Sequence, residues 1–419
     1  MTQLLPYPLN SGAKIKCYHF LKAVAERHDV TLLSFVRSDE EAEHAAHLAE
    51  FCERVETCPL RRSRLRDITW MLKSWVSGGS FIISRDWSDE FHSRVADLLS
   101  KNRFDVIHAV RPNMFQYVPE NTSNYTVLDT ENVETQVVRR TFESKPFTLS
   151  GLLSLFESKR LEEYERMACA KADLVLTVTD EDNAALTALA TSAAGDVQST
   201  PIKTVPIGVD TEYFAYSWQP HPDPRSLFVG TMYWPPNVDC VTYYCRDILP
   251  LIRKSIRATQ FDIVGLRPAR AVIDLEKRVA GIHVSGSVDD VRPYMSRSRV
   301  LVVPLRAGSG MRVKILNAMA VGVPVVTTSI GCEGISGLVP VAKPTRLDAN
   351  REANIWIADS PEEFSEAVVT LIRDDELAST ISRNGRKLML QRYDWTIIRQ
   401  EILRIYDRIE RDLGKRRSV

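Results

Sequence analysis

The stretch Pro304–Gly334, PLRAGSGMRVKILNAMAVGVPVVTTSIGCEG, carries the densest chemistry in the sequence. An apolar run ends at Pro304, a Gly-Ser-Gly loop follows, and helical patterning starts near Met311. Open N–H groups at a helix start, together with the helix dipole, form a ready anion site. Gly308 and Gly310 let the backbone approach a phosphate closely. Arg306, Arg312 and Lys314 add positive charge around the same loop. A diphosphate suits this chemistry. On spacing alone, a tight strand–helix turn with solvated basic residues is an equal alternative. Ligand crevices at the carboxyl ends of parallel strands tilt the balance toward the diphosphate.

Short Val/Leu/Ile-rich runs alternate with helical stretches along the chain. In the first half they are Val30–Val36, Asp105–Val110, Tyr125–Asp129 and Asp173–Val178. The second half holds Ser226–Gly230, Gln260–Gly265, Ile282–Ser285, Arg299–Pro304 and Val323–Thr328. This alternation predicts α/β units with parallel sheets covered on both faces. Thr179–Asn183 and the SAAGDVQSTP segment read as polar breaks, with two domains joining near residues 200–212. The spacing of Ile398, Ile402, Ile405, Ile409 and Leu413 predicts an amphipathic helix.

The 419 residues suit two or three domains. Lys+Arg 54 against Asp+Glu 54 argues against a general nucleic-acid binder. The seven cysteines are scattered without a CxxC pair, so a disulfide framework or zinc site is not expected and a reducing compartment is. The eight histidines form no metal constellation. No apolar run reaches the roughly 18 residues of a membrane span, and the N-terminus is no signal peptide. The expected address is cytoplasmic. MTQLLPYPLNSGAK opens almost at a loop, without the apolar run of a first strand. Either the reading frame begins upstream, or Met1–Leu5 supplies a stunted strand.

At Pro304–Gly334 the sequence resembles the family-4 type of retaining glycosyltransferases with the GT-B fold. The likeness runs in order through PYPLNSGAKIKCYHFLKAVAERHDVTLLSF, LDTENVETQVVRR, ADLVLTVTDEDN, VPIGVDTEYF, LFVGTMYWPPNVD, FDIVG and HVSGSVDDVRPYM. It implies two Rossmann-like domains facing across a cleft, with a C-terminal helix crossing back to the first. The implied boundaries are an acceptor-side domain over residues 1–203, a nucleotide-sugar domain over 204–390 and the crossover helix with its tail over 391–419. The implied reaction moves a hexose from a nucleotide-diphosphate sugar to a glycan, lipid-linked or small-molecule hydroxyl, with retention of configuration. No metal or cofactor is implied, because helix N-termini and basic side chains neutralise the leaving diphosphate.

Carried over residue by residue, the resemblance has departures. The family's E-x7-E pair falls on Ser309 and Asn317, and Asn317 offers a neutral acceptor in place of a carboxylate. A subgroup with a Gly-rich R-x-K loop is the closer match, which makes Lys314 the leading phosphate contact with Arg306 and Arg312 behind it. Gly12 matches the loop under the donor diphosphate; a simple turn glycine is the alternative. The donor set implied is then Gly12, Asp290, Arg306, Gly308, Ser309, Gly310, Met311, Arg312, Lys314 and Asn317, with Lys314 and Glu131 as the catalytic candidates. Glu131 replaces a family histidine, as acceptor to a sugar hydroxyl or as helper base; capping of the next helix by Asp129 and Glu131 weighs equally. For Asp290 the favoured reading is the cap of a helix beginning near Val291.

Leu60–Trp75 is locally basic with Trp70, Met71, Leu72 and Trp75 following. A loop with solvated arginines is the favoured reading, and peripheral docking on anionic lipid at the inner membrane face the other. The tail GKRRSV reads as disordered. The missing carboxylates and missing first strand motivate a second hypothesis, a catalytically weak or inactive nucleotide-binding protein. A nucleotide-sugar epimerase on the same fold is a third.

Overall fold

In the computed structural model, the described residues are 1–144, 149–191, 200–308, 310–343 and 350–417. Contacts divide the chain into two units, Met1–Ile207 with Arg399–Val419, and Gly208–Ile398.

The first unit pairs β1 (Thr31–Val36) in parallel with β2 (Arg54–Pro59). A second run joins β3 (Val106–Val110), β4 (Tyr125–Asp129), β5 (Leu174–Thr177) and β6 (Ile202–Thr204), all parallel and in that order. Thr2 forms single parallel bridges to both Ser34 of β1 and Val110 of β3. The Thr2 amide donates to Leu33 O at 3.0 Å, and the Val110 amide donates to Met1 O at 2.9 Å. Met1–Gln3 therefore does the work of a stunted strand between the two runs. Below it lies a cavity of about 430 Å³, lined in part by Val30, Leu32, Val106 and His108.

Helix α1 (Gly12–Ala25) is capped by Ser11, whose Oγ accepts from the Lys14 amide. It carries Lys16 into the core, where the ammonium pairs with Asp129 at the end of β4. Helix α2 (Arg64–Ser77) replaces the expected loop. Ser63 accepts from the Arg66 amide at 3.2 Å, and Gly78 at φ 75° ends the helix in the left-handed conformation. The one-turn α3 (Pro112–Phe115) follows β3 directly. The expected acidic break at Thr179–Asn183 is the start of α4 (Asp180–Thr191). Thr179 Oγ1 accepts from the Asp182 amide at 3.0 Å, and three acids in the first turn complement the dipole. Most of the SAAGDVQSTP break, residues 192–199, lies outside the described residues.

The second unit is a six-stranded parallel sheet in the order β12-β11-β10-β7-β8-β9. Its strands are β7 (Arg225–Val229), β8 (Gln260–Val264), β9 (Ile282–Gly286), β10 (Val300–Val303), β11 (Val325–Thr327) and β12 (Trp356–Ile357). All four residues of β10 are buried, as expected of a central strand covered on both faces. Three helices matter to the site: α5 (Pro235–Tyr243), α6 (Arg292–Ser296) and α7 (Val313–Val321). Helix α7 thus starts two residues later than the sequence pattern suggests.

The last helix, α8 (Trp395–Arg417), buries the predicted stripe Ile398, Ile402, Ile405 and Ile409. From Arg399 onward it belongs with the first unit, where Tyr406 Oη meets His108 Nδ1 at 3.0 Å. Helical structure continues to Arg417, so Gly414–Arg417 is ordered helix and not loose tail. Among the described residues no helix is long and apolar enough to cross a membrane.

Candidate active site

The second unit gathers its basic loop at the carboxyl ends of β7 and β10, where β10 gives way to the glycine loop and α7. Gly308 (φ 139°) and Gly310 (φ 77°) occupy backbone conformations that disfavour other residues. A Cβ on Gly308 would also lie 2.8 Å from Arg312 Nη2. Arg312, at the N-cap of α7, does not cap the helix with its side chain; its Nη1 donates to Gly310 O at 2.5 Å. Ser309 lies outside the described residues.

Lys314, the second residue of α7, reaches back over β7. Its Nζ stands 3.9 Å from the centroid of the Phe228 ring and donates to Asn237 Oδ1 at 3.1 Å. The Asn237 amide is oriented by its Nδ2 bond to Thr231 O at 3.0 Å. A Cβ on Gly230 would lie 2.8 Å from the ammonium, so a side chain at this strand end would displace it. No ion pair to Lys314 exists among the described residues. Burial pushes its pKa down to about 7; the nearby Cys240 opposes the shift and Arg312 adds to it. A half-buried cation held by a ring and one amide oxygen thus has no opposite charge beside it among the described residues.

The other predicted donor residues divide. Met311 is buried at the loop end, and Asn317 lies on α7 one turn beyond Lys314. Arg306 is already compensated. Its guanidinium holds Asp239 through two contacts, Nε to Oδ2 at 3.0 Å and Nη2 to Oδ1 at 2.5 Å, and stacks 4.6 Å over Tyr243. Asp290 sits on a different loop, after β9. It accepts from the Arg292 amide at 2.9 Å and grips the Arg292 guanidinium, which opens α6. The structure shows the helix-start role and draws no contact from Asp290 to Lys314.

In the first unit, Gly12 is the first residue of α1. The neighbouring Lys14 ammonium pairs with Glu41 Oε1 at 3.0 Å. Glu131, beyond the end of β4, lines a small crevice with Gln3, Ala13, Lys14 and Arg111. Its Oε2 is 2.7 Å from Arg111 Nε, a contact of charge more than of aligned hydrogen bonding. Asn237, Phe228 and Arg111 escape sequence reading. Each becomes visible only when distant strand ends meet, although the Pro-Pro-Asn helix start was a local hint for Asn237.

With this geometry established, three known proteins provide comparisons. Over 98% of both chains, the structure superposes on sucrose-phosphate synthase from Thermosynechococcus elongatus at a TM-score of 0.67 and 15% identity. The fold is GT-B. Anabaena HepE, solved in complex with UDP and glucose, shares this GT-B fold at a TM-score of 0.61 and 14% identity, over 97% of this chain and 98% of that chain. Residues 223–374, most of the second GT-B unit, match the family described as glycosyl transferases group 1. The phosphatidyl-myo-inositol mannosyltransferase of Mycobacterium bovis is 24% identical over 332 residues, 76% of this chain and 77% of that protein.

Proposed function

We propose that this chain is a group 1 glycosyltransferase that transfers a hexose from a nucleotide-diphosphate sugar to a hydroxyl of a glycan, lipid-linked or small-molecule acceptor. The reaction proceeds with retention and without a metal. The observation that carries the reading is Lys314, an enclosed ammonium with an amide oxygen and a ring for company. The negative charge that grows on a departing diphosphate is the partner this cation lacks. Gly308, Gly310 and the start of α7 supply backbone N–H groups on the same loop. Asn317 offers an amide oxygen to a ribose hydroxyl, and Glu131 a carboxylate oxygen to a sugar hydroxyl. The family match at residues 223–374, the UDP and glucose of HepE and the named activity of the mannosyltransferase support this class of reaction.

Calorimetry with UDP and GDP tests the assignment. Lys314→Ala removes a charge-assisted contact worth about 1.5–3 kcal/mol, roughly a tenfold to hundredfold loss of affinity. Unchanged nucleotide binding would sink the role given to Lys314.

Peripheral membrane contact is the second part of the reading, and α2 favours it. Leu65, Ile68, Leu72, Trp75 and Val76 are exposed along the helix, with Leu65 79% and Val76 92% accessible. Arg61, Arg62, Arg64 and Arg66 cluster at its start. An apolar face with a basic end suits an anionic lipid surface. Co-sedimentation with phosphatidylglycerol vesicles should fall sharply in Leu72→Asp/Trp75→Asp; equal binding by that variant rejects the contact.

A further inference from the structure

Arg111 has two features that its local sequence does not explain. It joins β3 to α3 with φ 81° and ψ 149°, a region that is essentially glycine's own. It also places its guanidinium among buried polar groups at the ends of β3 and β4. The amide donates to Asp129 O at 2.7 Å, Nη1 donates to Gln3 Oε1 at 2.5 Å, and Nε faces Glu131 Oε2 at 2.7 Å. Gln3 is held in turn by Asp86 Oδ2 at 2.6 Å, an oxygen that also accepts from Asn113 Nδ2 at 2.6 Å. Asp86 is anchored further by Arg62. Burial works against the Arg111 charge, and Glu131 followed by Glu134 more than offsets it.

A chain with glycine at this position would form the same turn without strain. The arginine therefore sits at a backbone cost, and its guanidinium lies against the Glu131 carboxylate. We propose that Arg111 is a positioning residue that aims Glu131 into the crevice beside the start of α1, leaving Oε1 for a substrate hydroxyl. This rests on the transferase reading above. The chain Asp86–Gln3–Arg111–Glu131 transmits rigidity from the core to the crevice, so that Glu131 need not be ordered when substrate arrives.

The experiment compares Arg111→Gly, Arg111→Lys and Glu131→Gln in the full chain. Arg111→Gly accepts the φ but leaves Glu131 and Gln3 without their partner, so its turnover is compared well below its own melting temperature. Its UDP affinity, measured by calorimetry, should match the wild type. Turnover of UDP-glucose, followed by UDP release, should fall on the order of tenfold to a hundredfold. Arg111→Lys should recover part of that loss. The double variant Arg111→Gly/Glu131→Gln should be no slower than Glu131→Gln alone, because both changes remove one device. Wild-type turnover in Arg111→Gly overturns the proposal, as does a full second loss in the double variant. A wild type inert toward UDP-, GDP-, ADP- and TDP-glucose defeats the transferase reading instead. The Glu131 carboxyl ¹³C chemical shift still decides the pairing in that case: a shift unchanged in Arg111→Gly rejects it.

Discussion

Each unit holds a lysine near the carboxyl end of its sheet, Lys16 buried and Lys314 half-buried, and the two are placed in opposite ways. Lys16 of α1 meets Asp129, with both side chains only 3% exposed, and His108 Nε2 approaches the other Asp129 oxygen at 3.6 Å. Burial disfavours the Asp129 carboxylate, but Lys16 and then His108 hold its pKa below the usual value. Lys314 of α7 has the ring of Phe228 and the amide of Asn237. The first arrangement is complete in itself. The second leaves a charge for something else to neutralise. Charge removed from water is costly wherever it lies, so the two lysines differ in whether an opposite charge stands beside them among the described residues.

Replacing each lysine by methionine sharpens the contrast. Lys16→Met strands Asp129 and should cost about 3–5 kcal/mol in urea unfolding. A loss below about 1 kcal/mol would mean that Asp129 is adequately held by His108 and the backbone.

Next in size is the pH response. The Lys314 ammonium titrates at about 7 in the fold, against an ordinary value of 10.5. UDP binding that needs the charged form should therefore weaken above pH 7, by up to about 1.4 kcal/mol per pH unit. Lys314→Met should show no such slope, and identical slopes in the two proteins would refute the linkage. The apo protein responds with the other sign. Between pH 7 and 10.5 the unfolded lysine binds more protons than the folded one, so the contribution of this residue to stability rises with pH.

Smallest is the stability change of Lys314→Met at pH 7. An uncompensated cation replaced by an apolar chain of similar volume should leave stability within about 1 kcal/mol, or raise it. A loss as large as that of Lys16→Met would erase the distinction between the two sites.

Much of the fold is legible in the residues. Each of the nine apolar runs overlaps a strand of the structure, because buried parallel strands read as near-continuous apolar runs. The strands that escaped are β2, β6 and β12. Arg54–Pro59 alternates weakly, Ile202–Thr204 has three residues and Trp356–Ile357 only two. Three polar stretches misled for related reasons. Acidic residues at 180–182 and arginines at 61–66 look like loops until capping by Thr179 and Ser63 is recognised as a helix start. The last basic residues continue a helix whose stability comes from the buried isoleucines before them.

The candidate site was legible in part. Glycines 308 and 310 and the cations at 306, 312 and 314 lie within one local segment, so their chemistry could be read from spacing. Spacing could not tell that Arg306 spends its charge on Asp239 while Lys314 keeps its own, since Asp239 is 67 residues away.

By itself, the sequence determined two α/β units with parallel strands, the amphipathic last helix and a basic glycine loop ahead of a helix. These follow from local periodicity and backbone preference. Only the tertiary structure decided which charges are paired and which are not. It set Lys314 over Phe228 beside Asn237, buried Lys16 against Asp129, and strained Arg111 toward Glu131. Those outcomes depend on strand ends that meet across long stretches of chain. Desolvation, which gives a charge its chemistry, is a property of that assembled neighbourhood and not of the residue.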